Sequence, residues 1–437
     1  MKKANECYSE MLVSPGATGE IYLMNFRYKK NDTCRMCGSS DLSLVLDLGD
    51  QPPSNAFVKT EDIPTEQSFP LRLFRCRSCG SSQLLDVVNA QDVFDDYYYL
   101  SSTSGALRNH FQGLVDGLLS DYSPNENSVI VDVGANDGIM LDRYPKDRFR
   151  LVGVEPSSAG QYAEQKGHII VKDFFGQEVG RRIKEEYGPV ALVTATNVCA
   201  HVDDMVNFMS GFAEMLDDDG LAVFECSYLP DMMEGVYFDT IYHEHLCYHG
   251  LTPLKALLRR VGLRAVKAER ISFGASGPAL RLTVALERSG RKEGASVQSM
   301  LDAEAAWGLM SDAPYDRFAE KVESATRELR ETVAKQKESG NRIGVFTAPA
   351  KGNTLLNSAR FTSEDLEAVA ENNALKCGKL TPGSHIPVIS DEEFLGRKFD
   401  MALLLSWNYA DFFVSNSDFV KQGGRFIVPL PRPVIRP

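Results

Sequence analysis

The richest cluster of reactive side chains lies in the segment FDTIYHEHLCYHG, residues 238–250. Three of the seven histidines of the chain fall within it, and its candidate residues are Tyr242, His243, Glu244, His245, Tyr248 and His249. Histidine exchanges a proton most readily near neutral pH, and a neighbouring carboxylate can orient it or raise its basicity. The segment therefore predicts general acid–base chemistry. A bound metal ion or a purely structural cluster is an open alternative, although His243 and His245 do not form the i, i+4 pair of an HExxH motif.

Four of the nine cysteines form two CxxC pairs: Cys34 and Cys37 in CRMCG, and Cys76 and Cys79 in CRSCG. Each pair sets two thiolates on one side of a tight turn, and the glycine that follows permits the positive φ of that turn. Four sulfur ligands complete a tetrahedral shell, so the pattern predicts one structural Zn²⁺ with no open position for catalysis. Two reduced turns or a redox dithiol are the alternative interpretations.

A nucleoside-binding loop is predicted where VIVDVGANDG ends a strand and opens a helix. Glycines there let the backbone approach a ligand at the carboxyl edge of a sheet, and an acidic residue about twenty positions later can accept hydrogen bonds from ribose. The full GxGxxG pattern is missing, which disfavours a dinucleotide. The ordered series of polar strand ends indicates S-adenosylmethionine instead, although a helix cap is an alternative for each acidic residue alone. The predicted cofactor residues are Asp132, Gly134, Asn136, Asp137, Gly138, Glu155, Asp173, Phe174 and Asn197.

Shorter motifs add candidate ligands for a substrate. His201 follows a strand in NVCAHV, and DDYYYLSSTS, residues 95–104, supplies tyrosines and hydroxyls for either a lid or a packing strip. TAPAKGNTLLN sets Lys351 at the predicted start of a helix, where an anion can bind, and LTPGSHIPVIS offers His385 in a turn. Both motifs suit a phosphate or diphosphate, with an ordinary strand–helix turn as the alternative. Because the GxxxxGK[ST] motif is missing, the sequence does not support ATP hydrolysis.

These motifs need an α/β scaffold to bring them together. From residue 129, five strand-like segments alternate with helical ones, which predicts an open parallel sheet with helices on both faces. LRAVKAERIS and GPALRLTVALE follow as an antiparallel edge pair, and residues 298–338 predict a long charged helical stretch. The predicted organisation is 1–30, an N-terminal extension; 31–90, a β-rich zinc module; 91–297, a cofactor domain with a helical lead-in; and 298–437, a helical linker with a second α/β domain.

Charge and hydrophobic patterning limit the possible partners. The 437 residues carry a formal net charge of -13, which disfavours nucleic-acid binding because that needs a clustered basic face. No apolar run reaches the length of a membrane span, and the N-terminus lacks the apolar stretch of a signal peptide. We therefore expect a cytoplasmic protein, favoured to be a monomer, that acts on a small molecule without a membrane or nucleic-acid partner.

Taken together, the motifs resemble one family. In chain order they are CRMCG, CRSCG, DDYYYLSSTS, VDVGANDG, GVEPS, NVCAHV, YHEHLCYH, APAKGNTLLN, TPGSHIP and GGRFIVPLP. Over nearly all of the chain after residue 30, the sequence is similar to the zinc-containing sugar C-methyltransferases of antibiotic pathways, which methylate carbon 3 of nucleotide-linked 4-keto sugars. The resemblance implies a class I S-adenosylmethionine methyltransferase domain, Rossmann-like, between an N-terminal β-rich zinc module and a C-terminal Rossmann-like α/β domain.

The resemblance also implies a mechanism. His245 resembles the base that removes the proton beside a ketone, with Glu244 and Tyr242 next to it. The resulting enolate attacks the methyl group of the cofactor, and hydroxyl donors stabilise its oxygen. The residues expected to hold the substrate and its nucleotide diphosphate are Ser101, Ser102, Lys351, Asn353 and His385.

Two tyrosines of the family pattern match Tyr97 and Tyr99, which with His201 and Tyr242 would stabilise the enolate or hold the sugar. One loop departs from the pattern: FGASGPALR, residues 273–281, stands where the family commonly has a His-Gly-Gly-Ser-like turn. Because this loop borders the substrate region, an O- or N-methyltransferase of another small molecule is the alternative. A non-enzymatic zinc-module binding protein is a second alternative.

Overall fold

The computed structural model describes residues 27–90, 93, 100–272 and 277–437 of the chain. The predictions for the N-terminal extension up to residue 26, for Tyr97 and Tyr99, and for the loop at 273–276 fall outside these residues.

The N-terminal part is a small antiparallel sheet. Its strands are β1 (Tyr28–Lys30), β2 (Leu42–Gln51), β3 (Phe69–Cys76), β4 (Ser82–Leu84) and β5 (Asp86–Val88). Strands β2, β3 and β4 pair in that order, and β1 pairs with β5 in a separate two-stranded ladder. Strand β3 buries every second residue fully, which is the pattern of a strand with one face against a core. The β-rich module predicted for this region is confirmed.

The central part is a seven-stranded sheet that follows α1 (Gly105–Tyr122). The elements, which include β11 from another sheet, are β6 (Val129–Val133), β7 (Arg150–Val154), α2 (Gly160–Gln165), β8 (Ile169–Val171), α3 (Gln177–Tyr187), β9 (Val190–Thr196), α4 (Met205–Met215), β10 (Leu216–Ser227), α5 (Leu229–Glu234), β11 (Cys247–Tyr248), α6 (Leu251–Arg260), β12 (Leu263–Ile271) and β13 (Ala279–Leu286). The strand order is β12-β13-β10-β9-β6-β7-β8. Strands β6 to β10 are parallel, and β12 and β13 form the predicted antiparallel pair. Because β6 lies between β7 and β9, the order reverses there and leaves a crevice at the carboxyl ends of these strands.

The C-terminal part begins with two helices, α7 (Ala295–Trp307) and α8 (Ala313–Glu338). The helical stretch predicted over 298–338 consists of these two helices, because Gly308 adopts φ 93° and ends α7. The following elements are β14 (Ile343–Phe346), α9 (Ala350–Ser358), β15 (Val369–Glu371), β16 (Val388–Ser390), α10 (Asp391–Gly396), β17 (Met401–Leu404), α11 (Ala410–Asn416), α12 (Asp418–Lys421), β18 (Arg425–Val428) and β19 (Val434–Arg436). They form a sheet of order β16-β15-β14-β17-β18-β19, parallel except for β19. This second sheet has its own reversal of strand order at β14.

The reactive segment 238–250 ties these parts together, because its strand β11 pairs with β4 of the N-terminal sheet. Apolar side chains from all three parts merge into one continuous core, with Leu73, Phe212 and Phe426 as examples. No helix among the described residues has the length and apolar character needed to cross a membrane. The fold is α/β, with a Rossmann-like central domain flanked by a β-rich module and a second Rossmann-like domain, as the sequence predicts.

Candidate active site

The four predicted zinc ligands converge on one point. The Sγ atoms of Cys34 and Cys79 lie 3.6 Å apart, as do those of Cys37 and Cys76, and all four lie within 4.8 Å of one another. A tetrahedral Zn²⁺ with Zn–S bonds of about 2.3 Å sets its sulfurs about 3.8 Å apart, so the four thiolates fit the ion. Four protein ligands fill the coordination shell, and the zinc is therefore structural.

A large cavity of about 1150 Å³ opens between the carboxyl edges of the two parallel sheets. The predicted site residues that line it are Ser101, Asp132, Gly134, Asn136, Glu155, Asp173, Phe174, Asn197, His201, Tyr242, Glu244, His245 and Lys351. Five predicted residues lie off its wall, namely Ser102, Asp137, Gly138, Asn353 and His385. The cavity thus joins the predicted cofactor loop, the reactive segment and the C-terminal domain in one space.

In the cofactor half, the glycine loop is held tightly against the sheet. Gly134 has φ 74°, and a Cβ atom there would lie 2.3 Å from Cγ2 of Val198, so only glycine fits. Oε2 of Glu155 accepts a hydrogen bond from the backbone N–H of Asn136 at 2.8 Å. Asp132 accepts a hydrogen bond from Thr194 at 2.6 Å, and burial raises the pKa of Asp132 to about 7. The sequence predicted Asp132, Gly134 and Glu155 as cofactor ligands. In the structure, Gly134 and Glu155 also fix the conformation of the loop itself.

The two polar side chains of the GANDG loop support the segment that follows the tyrosine run. Oδ1 of Asn136 accepts from the backbone N–H of Ser101 at 2.9 Å, and Oδ2 of Asp137 accepts from that of Ser102 at 3.2 Å. Asp137 does not line the cavity, and its side chain fixes the backbone at Ser102. At the opposite side, Oδ2 of Asp173 forms an ion pair with Arg182 at 3.0 Å, on a part-exposed rim.

His245 is held in one tautomer by two hydrogen bonds. Its Nδ1 donates to the carbonyl of Thr240 at 2.9 Å, because a carbonyl oxygen can only accept. In the neutral ring, Nε2 is then unprotonated, and it accepts from the hydroxyl of Tyr242 at 2.7 Å. Burial, followed by the nearby imidazole of His201, lowers the pKa of His245 well below its usual value. The result is a neutral imidazole whose basic nitrogen lies beside a hydroxyl group at the cavity wall.

His201 lies next to this pair, with its ring centroid 4.8 Å from that of His245. Its Nδ1 donates to the main-chain carbonyl of Glu244 at 2.7 Å, and burial lowers its pKa. Two neutral imidazoles and one phenol therefore share the centre of the cavity.

The carboxyl group of Glu244 has a different hydrogen-bond partner from the one that the sequence predicts. The sequence predicted it beside the imidazole of His245, but its Oε1 accepts from the side-chain amide of Asn55 at 3.1 Å. The carbonyl of Thr240, and not this carboxylate, orients His245. Burial raises the pKa of Glu244 to about 7. Asn55, which sequence reasoning missed, also lines the cavity.

The other two histidines of the segment face elsewhere. Nε2 of His243 lies 3.3 Å from the carbonyl of Phe69, and burial lowers the pKa of both His243 and His249 to about 4. The three histidines thus do not converge on a common ligand. Within the part of the chain that the structure describes, the four cysteines are the one grouping of three or more residues with metal-ligand spacing.

The C-terminal half of the cavity carries two lysines, Lys351, which is buried, and Lys376, which is half-buried. Nζ of Lys351 donates to Oδ1 of Asn408 at 2.8 Å and lies 4.4 Å from the ring centre of Trp407. Lys376, which sequence reasoning missed, lies 4.0 Å from the carboxylate of Glu371 at the end of β15. Burial lowers the pKa of both lysines. The signal that could have pointed here is Glu371, because an acidic residue ending the second strand of such a sheet commonly faces a ligand.

Asn353 and His385, two of the three predicted substrate residues off the cavity wall, have partners in the N-terminal module. The side-chain amide of Asn353 donates to the carbonyl of Ser54 at 2.6 Å. Nε2 of His385 lies 2.8 Å from Oε2 of Glu66, and the N–H of Gly383 donates to Oε1 at 2.9 Å. The TPGSHIP turn therefore contacts an anionic group of its own chain at the point where a substrate phosphate was expected.

Three family models match consecutive stretches of the chain. Their descriptions are a zinc binding domain at residues 34–94, a methyltransferase domain at 107–268 and a C-methyltransferase C-terminal domain at 275–431. Among curated proteins, the C-methyltransferase NovU of Streptomyces niveus is 31% identical over 405 residues, which span 92% of this chain and 96% of NovU. The likeness therefore extends over all three parts of the fold.

Two solved structures with a similar fold each cover less than half of this chain. Magnesium protoporphyrin IX methyltransferase from Synechocystis PCC 6803 with bound SAM is 12% identical and covers 40% of this chain and 78% of its own, with a TM-score of 0.31. DesVI of Streptomyces venezuelae is 16% identical and covers 41% of this chain and 91% of its own, with a TM-score of 0.32. Assignment to a family therefore depends on the family models and the curated relative.

Proposed function

We propose a ketone-bearing small molecule as the substrate, because the chain belongs to the zinc-containing, S-adenosylmethionine-dependent C-methyltransferases. The protein is a methyltransferase that joins a methyl group to carbon. A carbon nucleophile arises most directly when a base removes the proton beside a ketone. We propose carbon 3 of a nucleotide-linked 4-keto-deoxysugar as the methylated atom.

The hydrogen bonds around His245 carry this proposal. Its Nε2 is unprotonated and faces a phenol at 2.7 Å, in a buried wall of the cavity. In the proposed reaction Nε2 takes the α proton, and the electrons of the C–H bond form an enolate. The hydroxyl of Tyr242 donates to the enolate oxygen, which offsets charge that develops in the transition state. The cofactor supplies an electrophilic methyl group, and the enolate carbon takes it as S-adenosylhomocysteine leaves.

The size and charge of the cavity support the nucleotide part of the proposal. Ligand pockets commonly measure about 300–1000 Å³, so a cavity of about 1150 Å³ has room for a cofactor and a second ligand. Lys351 and Lys376 line the C-terminal half, where β14 runs into α9. Cations beside a helix N-terminus favour a phosphate or diphosphate. We therefore propose that residues 298–437 hold the nucleotide and residues 91–297 hold the cofactor.

A deuterium experiment tests the proposed reaction. The protein is incubated with S-adenosylhomocysteine and nucleotide-linked 4-keto sugars in deuterated water, and exchange at the carbon beside the ketone is followed by NMR. We expect exchange without methylation, followed by a new carbon–methyl bond once S-adenosylmethionine replaces the product. Methylation with full retention of the α hydrogen would instead indicate transfer to oxygen or nitrogen.

A further inference from the structure

We propose that Asn55 is a positioning residue for Glu244 and that, through Asn55, the zinc module forms one wall of the active site. This inference rests on the proposed function, because it concerns a carboxyl group next to the proposed base.

The contact joins two parts of the chain that are 189 residues apart in sequence. Asn55 lies in the loop 52–57 that follows β2, and its side-chain Nδ2 donates to Oε1 of Glu244 at 3.1 Å. Both residues line the cavity, and Glu244 is only 5% exposed. Its second oxygen, Oε2, is buried without a hydrogen-bond partner among the residues that the structure describes. An unpartnered buried oxygen is costly unless a ligand satisfies it.

The loop that carries Asn55 is fixed by the C-terminal domain. The carbonyl of Ser54 accepts from Asn353 at 2.6 Å, and Gln51 donates to the hydroxyl of Ser358 at 3.2 Å. Thr354, on the same helix α9, donates to the carbonyl of Ile241 at 3.0 Å. Helix α9 therefore holds both the loop of the zinc module and the reactive segment, so Asn55 approaches Glu244 on a rigid frame.

The amide of Asn55 decides which oxygen of the carboxyl group can be protonated. Because Nδ2 donates to Oε1, a proton on the neutral carboxyl group belongs on Oε2. Burial is the largest influence on the pKa of Glu244, which rises to about 7, and the amides of Ser54 and Asn55 oppose this rise. Burial raises the pKa of the Tyr248 phenol, and the charge of Glu244 contributes to the same shift. Near neutral pH, the neutral form of Glu244 therefore carries its proton on Oε2, the oxygen that Asn55 does not contact.

The test compares pH profiles of kcat/KM. One limb of the profile should disappear in Glu244→Gln, because glutamine does not titrate. That limb reports the titration of Glu244. Asn55→Leu removes a donor that favours the ionised carboxylate, so we expect this limb to move to higher pH by about one unit. Asn55→Asp keeps the size of the side chain and replaces the donor by a second carboxylate, so it moves the limb in the same direction. Each variant must keep one zinc per chain and wild-type affinity for S-adenosylhomocysteine.

Gln51→Leu is the matched control, because it removes a contact between the end of β2, directly before this loop, and α9 without touching Glu244. Its pH profile should equal that of the wild-type protein. An unmoved limb in both folded Asn55 variants, or a limb that persists in Glu244→Gln, overturns this inference and leaves the proposed function intact. Absence of α-carbon exchange in the wild-type protein overturns the proposed function itself.

Discussion

The hydroxyl of Tyr242 donates to Nε2 of His245 across 2.7 Å, and the opposite ring nitrogen of His245 donates to the carbonyl of Thr240. This pair of bonds fixes the imidazole in the tautomer that a general base needs. The hydroxyl already occupies the position from which a hydrogen-bond donor can reach an oxyanion near Nε2.

Replacing this imidazole should abolish proton abstraction while the fold persists. His245→Asn keeps a donor that can reach Thr240 and removes the basic nitrogen, so we expect turnover to fall about 10²- to 10⁴-fold. α-Carbon exchange measured by NMR should fall in parallel, with affinity for S-adenosylhomocysteine unchanged. His243→Asn is the control, since His243 faces Phe69 and not the cavity. Wild-type turnover in His245→Asn would show that another group is the base.

The glycine loop gives a prediction about cofactor binding. Gly134→Ala forces a side chain into Val198 and into a positive φ, so the loop must move and the affinity for S-adenosylhomocysteine should fall at least tenfold. The measurement is calorimetric titration. Gly117→Ala in α1 is the control, because a Cβ atom there meets open space and alanine favours a helix. Equal affinities in the two variants would contradict the assigned loop.

Lys351 and Lys376 should determine how tightly the nucleotide part of the proposed substrate binds. Lys351→Met and Lys376→Met each remove a cation from the C-terminal half of the cavity, so each should weaken binding of thymidine diphosphate about tenfold or more. His385→Ala should leave this affinity unchanged, because His385 contacts Glu66 outside the cavity. If His385→Ala lost affinity and the two lysine variants did not, the TPGSHIP turn would instead be part of the substrate site.

Buried His249 should make stability depend on pH. Its pKa falls from 6.5 to about 4, so the unfolded chain takes up a proton over this interval while the folded chain does not. The stabilisation is therefore complete above pH 6.5 and is lost as the pH falls towards 4. Between pH 7 and pH 5 the loss from this group is about 2 kcal/mol.

The comparison of His249→Leu with the wild-type protein isolates this contribution. Glu244 acts with the opposite sign, because its raised pKa gives stability that is lost as the pH rises through 7. Urea unfolding at pH 7 and pH 5 gives the free energies. The difference between the two pH values should be smaller in the variant, and an equal difference would show that His249 titrates normally.

The local sequence was most informative at the ends of strands, where it predicted which residues would line the cavity. Gly134, Glu155 and Asn197 directly follow β6, β7 and β9, three neighbouring strands of a parallel sheet, and the carboxyl ends of such strands meet at one edge. The CxxC pairs likewise carry their own geometry, because two thiolates in one tight turn already face the same way. Within the predicted helical stretch 298–338, the left-handed Gly308 ends the first of two helices.

By itself, then, the sequence determined the α/β class and the four-cysteine zinc site, and it predicted which loop and which segment would line the cavity. Only the tertiary structure decided which side chains of neighbouring residues face the cavity and which partners they meet there. Glu244 meets Asn55, and His385 meets Glu66, because β4 pairs with β11 and α9 packs on the loop of the zinc module. These contacts join residues far apart in the chain, and no local pattern of residue types encodes them. They follow from how three layers of the fold pack around one cavity.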